Sequence, residues 1–325
     1  MTVLFGYHAS HEQFSPRDLV DHAVAAEKAG FDCVMCSDHF APWSRAQGHS
    51  GFAWSWLGAA MQATTSLPFG LITVPGGWRY HPAIVAQATA TLTDLFPDRF
   101  AWLALGSGEK LNEAVVGQGW PSKAERNERL RAGAEILRGM FDGERVTRNG
   151  PLRVEKAELY TRPANPVRLV AAALSPETAE WAASWADGLL TACQSPRALE
   201  EIIAAFRRGG GEAKPVYLQV HVSWAESEEA ARANAFDQWR SNAVDAYAAE
   251  NLDTPEAFEA ETADVSAADM DKYVRISADP ARHVEWLRGD AGMGVDAIYI
   301  HNVGRNQPAF IEMFGRQVLP ALRGA

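Results

Sequence analysis

The chain has 325 residues and a formal net charge of -11, a length that one α/β barrel commonly fills and a charge that repels phosphate backbones and anionic lipid. This argues against nucleic acid or membrane partners and for a small-molecule substrate. Three cysteines, an odd number, argue against a secreted disulfide scaffold.

The amino terminus runs straight into strand-like residues without the basic start, apolar core and cleavage site of a signal peptide, so a cytoplasmic protein is expected. Residues 3–7 form the first predicted strand. A helix over 16–29 follows, with Ser15 and Pro16 as cap and first-turn proline and Gly30 as its stop. Next come a strand over 33–37, a long loop, a helix over about 54–64, a strand over 69–74, a helix over 82–95 and a strand ending at Leu105. Residues 46–78 contain no Asp, Glu, Lys or Arg, but Gly, Ser, Thr, Gln and Pro68 interrupt them too often for a membrane span.

An amphipathic helix over 123–140 precedes residues 145–162, where alternation around Asn149-Gly150 predicts an insertion hairpin. A strand over 167–172 leads into a helix capped by Ser175, and a strand over 188–192 into a helix over about 196–208. A strand over 215–224 is followed by one long charged helix over 226–247. Residues 251–271, acidic and without period, are expected to be a lid or an insertion. A short helix over 280–288, a strand over 297–301 and a final helix over 308–322 complete the chain. Eight strand–helix alternations predict a single α/β domain over 1–325, a closed (β/α)8 TIM barrel.

In such a barrel the chemistry sits in the loops that follow the strands. Asp38 and His39 end the second strand in Ser37-Asp38-His39-Phe40, and Glu109 follows the fourth in Gly106-Ser107-Gly108-Glu109. An imidazole and a carboxyl at two strand ends suit proton transfer. His8 and His11, Thr73 and Pro75, Ser175, and His301 with Asn302 follow other strands. The glycines of 106–108 let a backbone approach a ligand, although a tight turn explains them equally well. Leu174-Ser175-Pro176 opens a helix whose free N–H groups suit phosphate, against the plainer reading as an ordinary cap.

Trp43, in a loop, is expected to wall the site, whereas Trp54, Leu57 and Met61 have helical spacing that suits the core. No His-x-x-x-His or His-Glu-x-x-His pair occurs among the nine histidines, so no metal site is expected. Cys33 and Cys36 are three apart on a strand and therefore point to opposite faces. Cys193, near another strand end, suits either a packed thiol or a pocket wall.

Taken together, Ser37-Asp38-His39-Phe40 with Pro42-Trp43, Gly48-His49-Ser50, Trp78-Arg79-Tyr80-His81-Pro82 and Gly106-Ser107-Gly108-Glu109 resemble the luciferase-like oxidoreductases. Within these, the chain is similar to the deazaflavin-dependent glucose-6-phosphate dehydrogenase subfamily, nearly end to end. The resemblance implies the same barrel, with FMN or coenzyme F-420 (8-hydroxy-5-deazaflavin) as cofactor. It implies that His39 takes the substrate's hydroxyl proton, that Trp43 supports the reacting groups and that Glu109 protonates the ring, with His39 and Glu109 facing one another across it. It also implies that Asp38, Thr73, Ser107, Gly108 and Asn112 hold the ring and its side chain. A non-prolyl cis peptide is implied near Ile72-Thr73, a bond that costs about 3–4 kcal/mol.

The departures from that pattern bear on the substrate. The threonine and lysine that grip the sugar phosphate fall on Ala192 and Ser195, with Lys272 matching a second phosphate-binding lysine, so glucose 6-phosphate is not the expected substrate. Paired glycines at the cofactor phosphate are replaced by Ala173 and Leu174, beside Ser175. The expected activity is hydride transfer between the ring and a small alcohol, carbonyl or activated alkene. A base near pKa 7 suits it, and free imidazole lies at about 6.5. The alternatives are an FMN monooxygenase fed by a partner flavin reductase, and a non-catalytic binding barrel, which has little need for His39, Trp43 and Glu109 together. The resemblance also implies a homodimer.

Overall fold

The structure, a computed structural model, describes residues 2–192 and 195–324. Cys193 lies outside the described residues. Short apolar runs bounded by Gly, Pro or Asp form the strands β1 (Leu4–Ala9), β2 (Cys33–Ser37), β3 (Phe69–Thr73) and β4 (Phe100–Leu105). The hairpin strands β5 (Val146–Arg148) and β6 (Val154–Ala157) interrupt the series. It resumes with β7 (Leu169–Ala172), β8 (Gly188–Ala192) and β9 (Val216–Ser223), the two-residue β10 (Arg275–Ile276), and β11 (Ala297–Asn302).

Parallel pairing runs in the order β9-β11-β1-β2-β3-β4-β7-β8, and β8 pairs back to β9, closing the barrel. This is the expected α/β TIM barrel. The hairpin at 146–157 is antiparallel and forms its own small sheet, as the turn dipeptide requires. Among the described residues, no helix is long and apolar enough to cross a membrane.

Strand alternation sorts the core into two layers. Outward residues such as Val34, Cys36, Leu103 and Ile298 pack beneath the helices. Inward residues, among them Cys33, Met35, Trp102, Tyr217 and Tyr299, fill the barrel. The two cysteines thus take opposite faces, as spacing requires.

Trp102 stacks on Tyr217 at 5.4 Å, and its Nε1–H donates to the Tyr299 hydroxyl at 2.9 Å. Gly70 and Gly6 make room for these rings. A Cβ on Gly70 would lie 2.1 Å from Trp102, and one on Gly6 would lie 2.5 Å from Tyr299. Two glycines therefore make room for three large rings that pack against one another inside the barrel.

Three expectations need correction. The charged segment 226–247 is not one helix: Glu228–Trp239 gives way to a 3-10 turn at Arg240–Ala243, and Asp245 then caps a new helix, Ala246–Asn251, by accepting from Tyr247 and Ala248 N–H. Ser, Asn and Asp offer the backbone local partners that compete with a continuing helix. The final segment likewise splits, with a wide π turn at Phe314–Val318 ahead of Pro320, whose ring nitrogen has no hydrogen to donate. The peptide at Ile72-Thr73 is trans, and no described peptide bond is cis. Trans is the ground state of a non-prolyl bond, and from it the Thr73 hydroxyl reaches Asp38.

The aperiodic stretch after Asn251 holds a short helix, Pro255–Glu261, and a 3-10 turn, Ala267–Lys272. Phe258 from it is buried and lines the cavity at the barrel mouth.

Candidate active site

The carboxyl ends of the strands open into a cavity of about 1170 Å³, lined by His39, Trp43, Glu109, Asn112, Ser175 and others. Just past β1, Glu12 is buried and accepts from the Ser10 hydroxyl at 2.7 Å. Its other oxygen, Oε1, lies 2.5 Å from Nδ1 of His39. Burial opposes charge on both groups, but their attraction prevails. His39 is raised to about 9 and Glu12 lowered to about 2. The pair is an imidazolium and a carboxylate at neutral pH.

The far nitrogen of His39, Nε2, lies 3.9 Å from Oε2 of Glu109. Burial raises the Glu109 carboxyl above its usual range, and the neighbouring imidazolium offsets only part of that rise. A planar ring needs about 3.5 Å of clearance on each face, so none fits between groups this close. His39 and Glu109 therefore share one wall of the cavity, a correction to the expectation that they face one another across the ring.

Asn112 fixes this arrangement. Its Nδ2 donates to Glu109 at 3.1 Å, while its Oδ1 accepts from the N–H groups of Phe40 and Ala41 at 2.8 and 3.2 Å. Trp43 stands edge-on to the His39 ring, with centroids 5.1 Å apart, and packs on Phe258.

Asp38 is buried and fully engaged. Its carboxylate accepts from the Thr73 and Tyr80 hydroxyls at 2.8 and 3.1 Å and faces Arg79 at 3.4 Å. Arg79 also pairs with the buried Glu113 at 3.1 Å. Burial raises the Glu113 carboxyl against the pull of that guanidinium. These contacts brace the loop that carries His39.

In the same loop as Glu109, Ser107 accepts from Lys123 at 3.1 Å, and both Lys123 and Arg126 are ion-paired with Glu250. Gly108 has φ +88°, a conformation glycine adopts without strain. Ala173, Leu174 and Ser175 line the cavity, and the Ser175 hydroxyl accepts from Thr178 N–H at 3.3 Å.

The two remaining candidates lie elsewhere. Ser195 caps the helix Pro196–Phe206 through Ala198 N–H at 3.4 Å. Lys272 is exposed, bonds Asp269 at 2.7 Å and does not line the cavity. Trp54 is buried in the core outside the cavity, as its spacing suggests.

Sequence reading missed Glu12. The signal was available, since an acid three residues past the end of β1 sits where Asp38 and His39 sit after β2. It also took Arg79 only as part of a motif, without the buried pairs it makes with Asp38 and Glu113.

The model of the luciferase-like monooxygenase family matches residues 2–297. The F420-dependent glucose-6-phosphate dehydrogenases of Intrasporangium calvum and Nakamurella multipartita are similar to this chain throughout. They are 35% and 34% identical to it, over 98% and 99% of this chain and 98% and 97% of their own lengths. The structure of an F420-dependent secondary alcohol dehydrogenase with an F420–acetone adduct is 30% identical, covers 99% of this chain and 100% of that one, and superposes with a TM-score of 0.92. The coenzyme F420-dependent tetrahydromethanopterin reductase from Methanopyrus kandleri shares the fold, with a TM-score of 0.79 at 20% identity over 99% of this chain and 100% of its own.

With these relatives, the barrel that carries acid, imidazole and acid at its mouth is an oxidoreductase. The chain belongs to the luciferase-like monooxygenase family.

Proposed function

We propose that the chain is an F420-dependent dehydrogenase interconverting an uncharged secondary alcohol and its ketone. The observation that carries this reading is the sequence of contacts from Glu12 through His39 to Glu109 along one cavity wall. The F420-dependent relatives, and the F420-dependent alcohol dehydrogenase that superposes with a TM-score of 0.92, support F420 over FMN.

The residues present fit a planar redox cofactor. The cavity exceeds the roughly 300–1000 Å³ typical of small-ligand sites, and a glycine-rich turn and a protonatable carboxyl meet there. Thr73, Ser107, Gly108 and Asn112 would hold the ring, and Ala173, Leu174 and Ser175 its tail. When bound, F420 supplies the acceptor or donor of hydride.

The chain itself manages the proton. Because Nδ1 of His39 is held by Glu12, Nε2 is the atom that returns a proton to a ketone oxygen from the imidazolium, or takes one from an alcohol oxygen once it has lost its own as pH rises through about 9. Trp43 limits the tilt of the ring, and Glu109 keeps a second proton within reach of the cavity. An uncharged substrate is supported by Ala192 at the phosphate-gripping position and by Lys272 lying off the cavity. Among the described residues, the lysine and arginine lining the cavity are Lys123 and Arg126, both already paired with Glu250.

The test is fluorescence quenching with F420 and with FMN, followed by anaerobic turnover of propan-2-ol and of glucose 6-phosphate. The expected result is tighter F420 binding and oxidation of propan-2-ol without oxygen. FMN binding with turnover that consumes oxygen would overturn the reading in favour of the monooxygenase.

A further inference from the structure

Around the barrel mouth, polar and apolar walls are segregated. Inward positions at the ends of β3, β7 and β8 are Ile72, Ala172 and Ala192. The adjoining strands β9, β11 and β1 carry Gln219 and His221, His301, and His8. These three strands are consecutive in the sheet and lead directly to β2 and His39. Trp239, at the end of the helix Glu228–Trp239, closes the same quadrant: its ring centroid lies 4.5 Å from that of His301 and 5.1 Å from that of His221. The His8 ring lies 4.5 Å from that of His301.

The quadrant is uncharged. Burial lowers His8 to about 4 and His221 to about 3, and drives His301 well below the ordinary histidine range. His301 is anchored from behind, with Nε2 2.7 Å from Oε1 of Gln13. Nδ1 of His8, Nε1–H of Trp239 and the other ring nitrogen of His301, Nδ1, are buried without a hydrogen-bond partner among the described residues, and of these three residues His8 and Trp239 line the cavity. A buried donor or acceptor left without a partner is costly, so a polar ligand gains by meeting the two that line the cavity.

We propose that the substrate carries a second neutral oxygen besides the one oxidised, and that His8 and Trp239 bind it in the quadrant of β9, β11 and β1. The substrate class is then an uncharged diol or polyol, or the matching hydroxyketone. This rests on the dehydrogenase reading for the reaction but not for the pocket.

Butane-2,3-diol and butan-2-ol differ by one hydroxyl and form a matched pair. Their dissociation constants, read by quenching of tryptophan fluorescence, and their kcat/KM with F420 test the assignment. The diol is expected to lead by at least about tenfold in both, since sites built to bond a hydroxyl reject the analogue lacking it. In Trp239→Phe, which keeps an aromatic ring but loses the N–H, and in His8→Phe, the ratio of diol to mono-ol is expected to fall toward one.

Equal binding of the two alcohols, or a ratio unmoved in both variants, overturns the proposal. Tight diol binding with no oxidation of either alcohol overturns the dehydrogenase reading and leaves the pocket assignment standing. Oxidation of both without discrimination does the reverse.

Discussion

Replacing Glu12 by Gln removes the carboxylate from Nδ1 of His39 while keeping the size of the side chain. In the native protein His39 stands at about 9 against an ordinary 6.5, a preference for imidazolium worth about 3 kcal/mol. The depression of Glu12 from 4.5 to about 2 is the same attraction seen from its other end, and the two are not added. Because the folded pKa of His39 is raised, its contribution is complete below about 6.5 and disappears as pH climbs through 9. Because that of Glu12 is depressed, its contribution is complete above 4.5 and is lost as pH falls toward 2.

Urea unfolding of the native protein and Glu12→Gln between pH 5 and 10 should therefore differ by about 3 kcal/mol near pH 5–6 and converge above pH 9. In the variant, burial and Arg79 act on His39 against Glu109 alone, so its NMR titration should move down from about 9. The midpoint for alcohol oxidation, which needs neutral His39, should move down with it. A stability difference that does not change with pH, or a variant His39 still titrating near 9, would refute the pairing.

Glu109→Gln keeps the bond to Asn112 but cannot exchange a proton. A loss of at least about 100-fold in kcat is expected, with the F420 dissociation constant changed only a few-fold, measured by single turnover and quenching. Arg79→Leu leaves the carboxylates of Asp38 and Glu113 buried without their cation. A cost of about 3–5 kcal/mol in urea unfolding is expected. Gly70→Ala forces a methyl into the Trp102 ring and should cost about 1–3 kcal/mol, visible as a lower melting temperature and an altered near-UV tryptophan spectrum.

The barrel was legible because its signals are local. Helices at Pro16–Ala29 and Pro82–Leu95 and the strand at Cys33–Ser37 match their expected limits, since caps, prolines and glycines mark each boundary in the chain itself. The break at Asp245 was harder to see, because a cap residue inside a charged, alanine-rich stretch reads as one more polar side chain until the turn before it is known.

In the site, His39, Trp43, Glu109 and Asn112 were legible from the strand ends and the resemblance, and the cavity brings them together. Glu12 was not, because its meaning depends on contact with a residue 27 positions away on another strand. Its effect is large enough to turn an expected base near neutrality into a resting acid. Lys272 shows the converse: a position can align with a phosphate-binding residue, while the side chain bonds Asp269 on its own turn.

Trp102, Tyr217 and Tyr299 seal the barrel below the reacting groups. Among the described residues, Asn251 and Phe258 line the cavity that leads to His39, so solutes that enter past them leave by the same doorway. Traffic through one doorway is nested: a compound seated against the inner histidines must arrive before, and depart after, anything laid across the entrance. Steady-state kinetics with two substrates should then follow a compulsory order, set by a stack of rings that touches neither reactant.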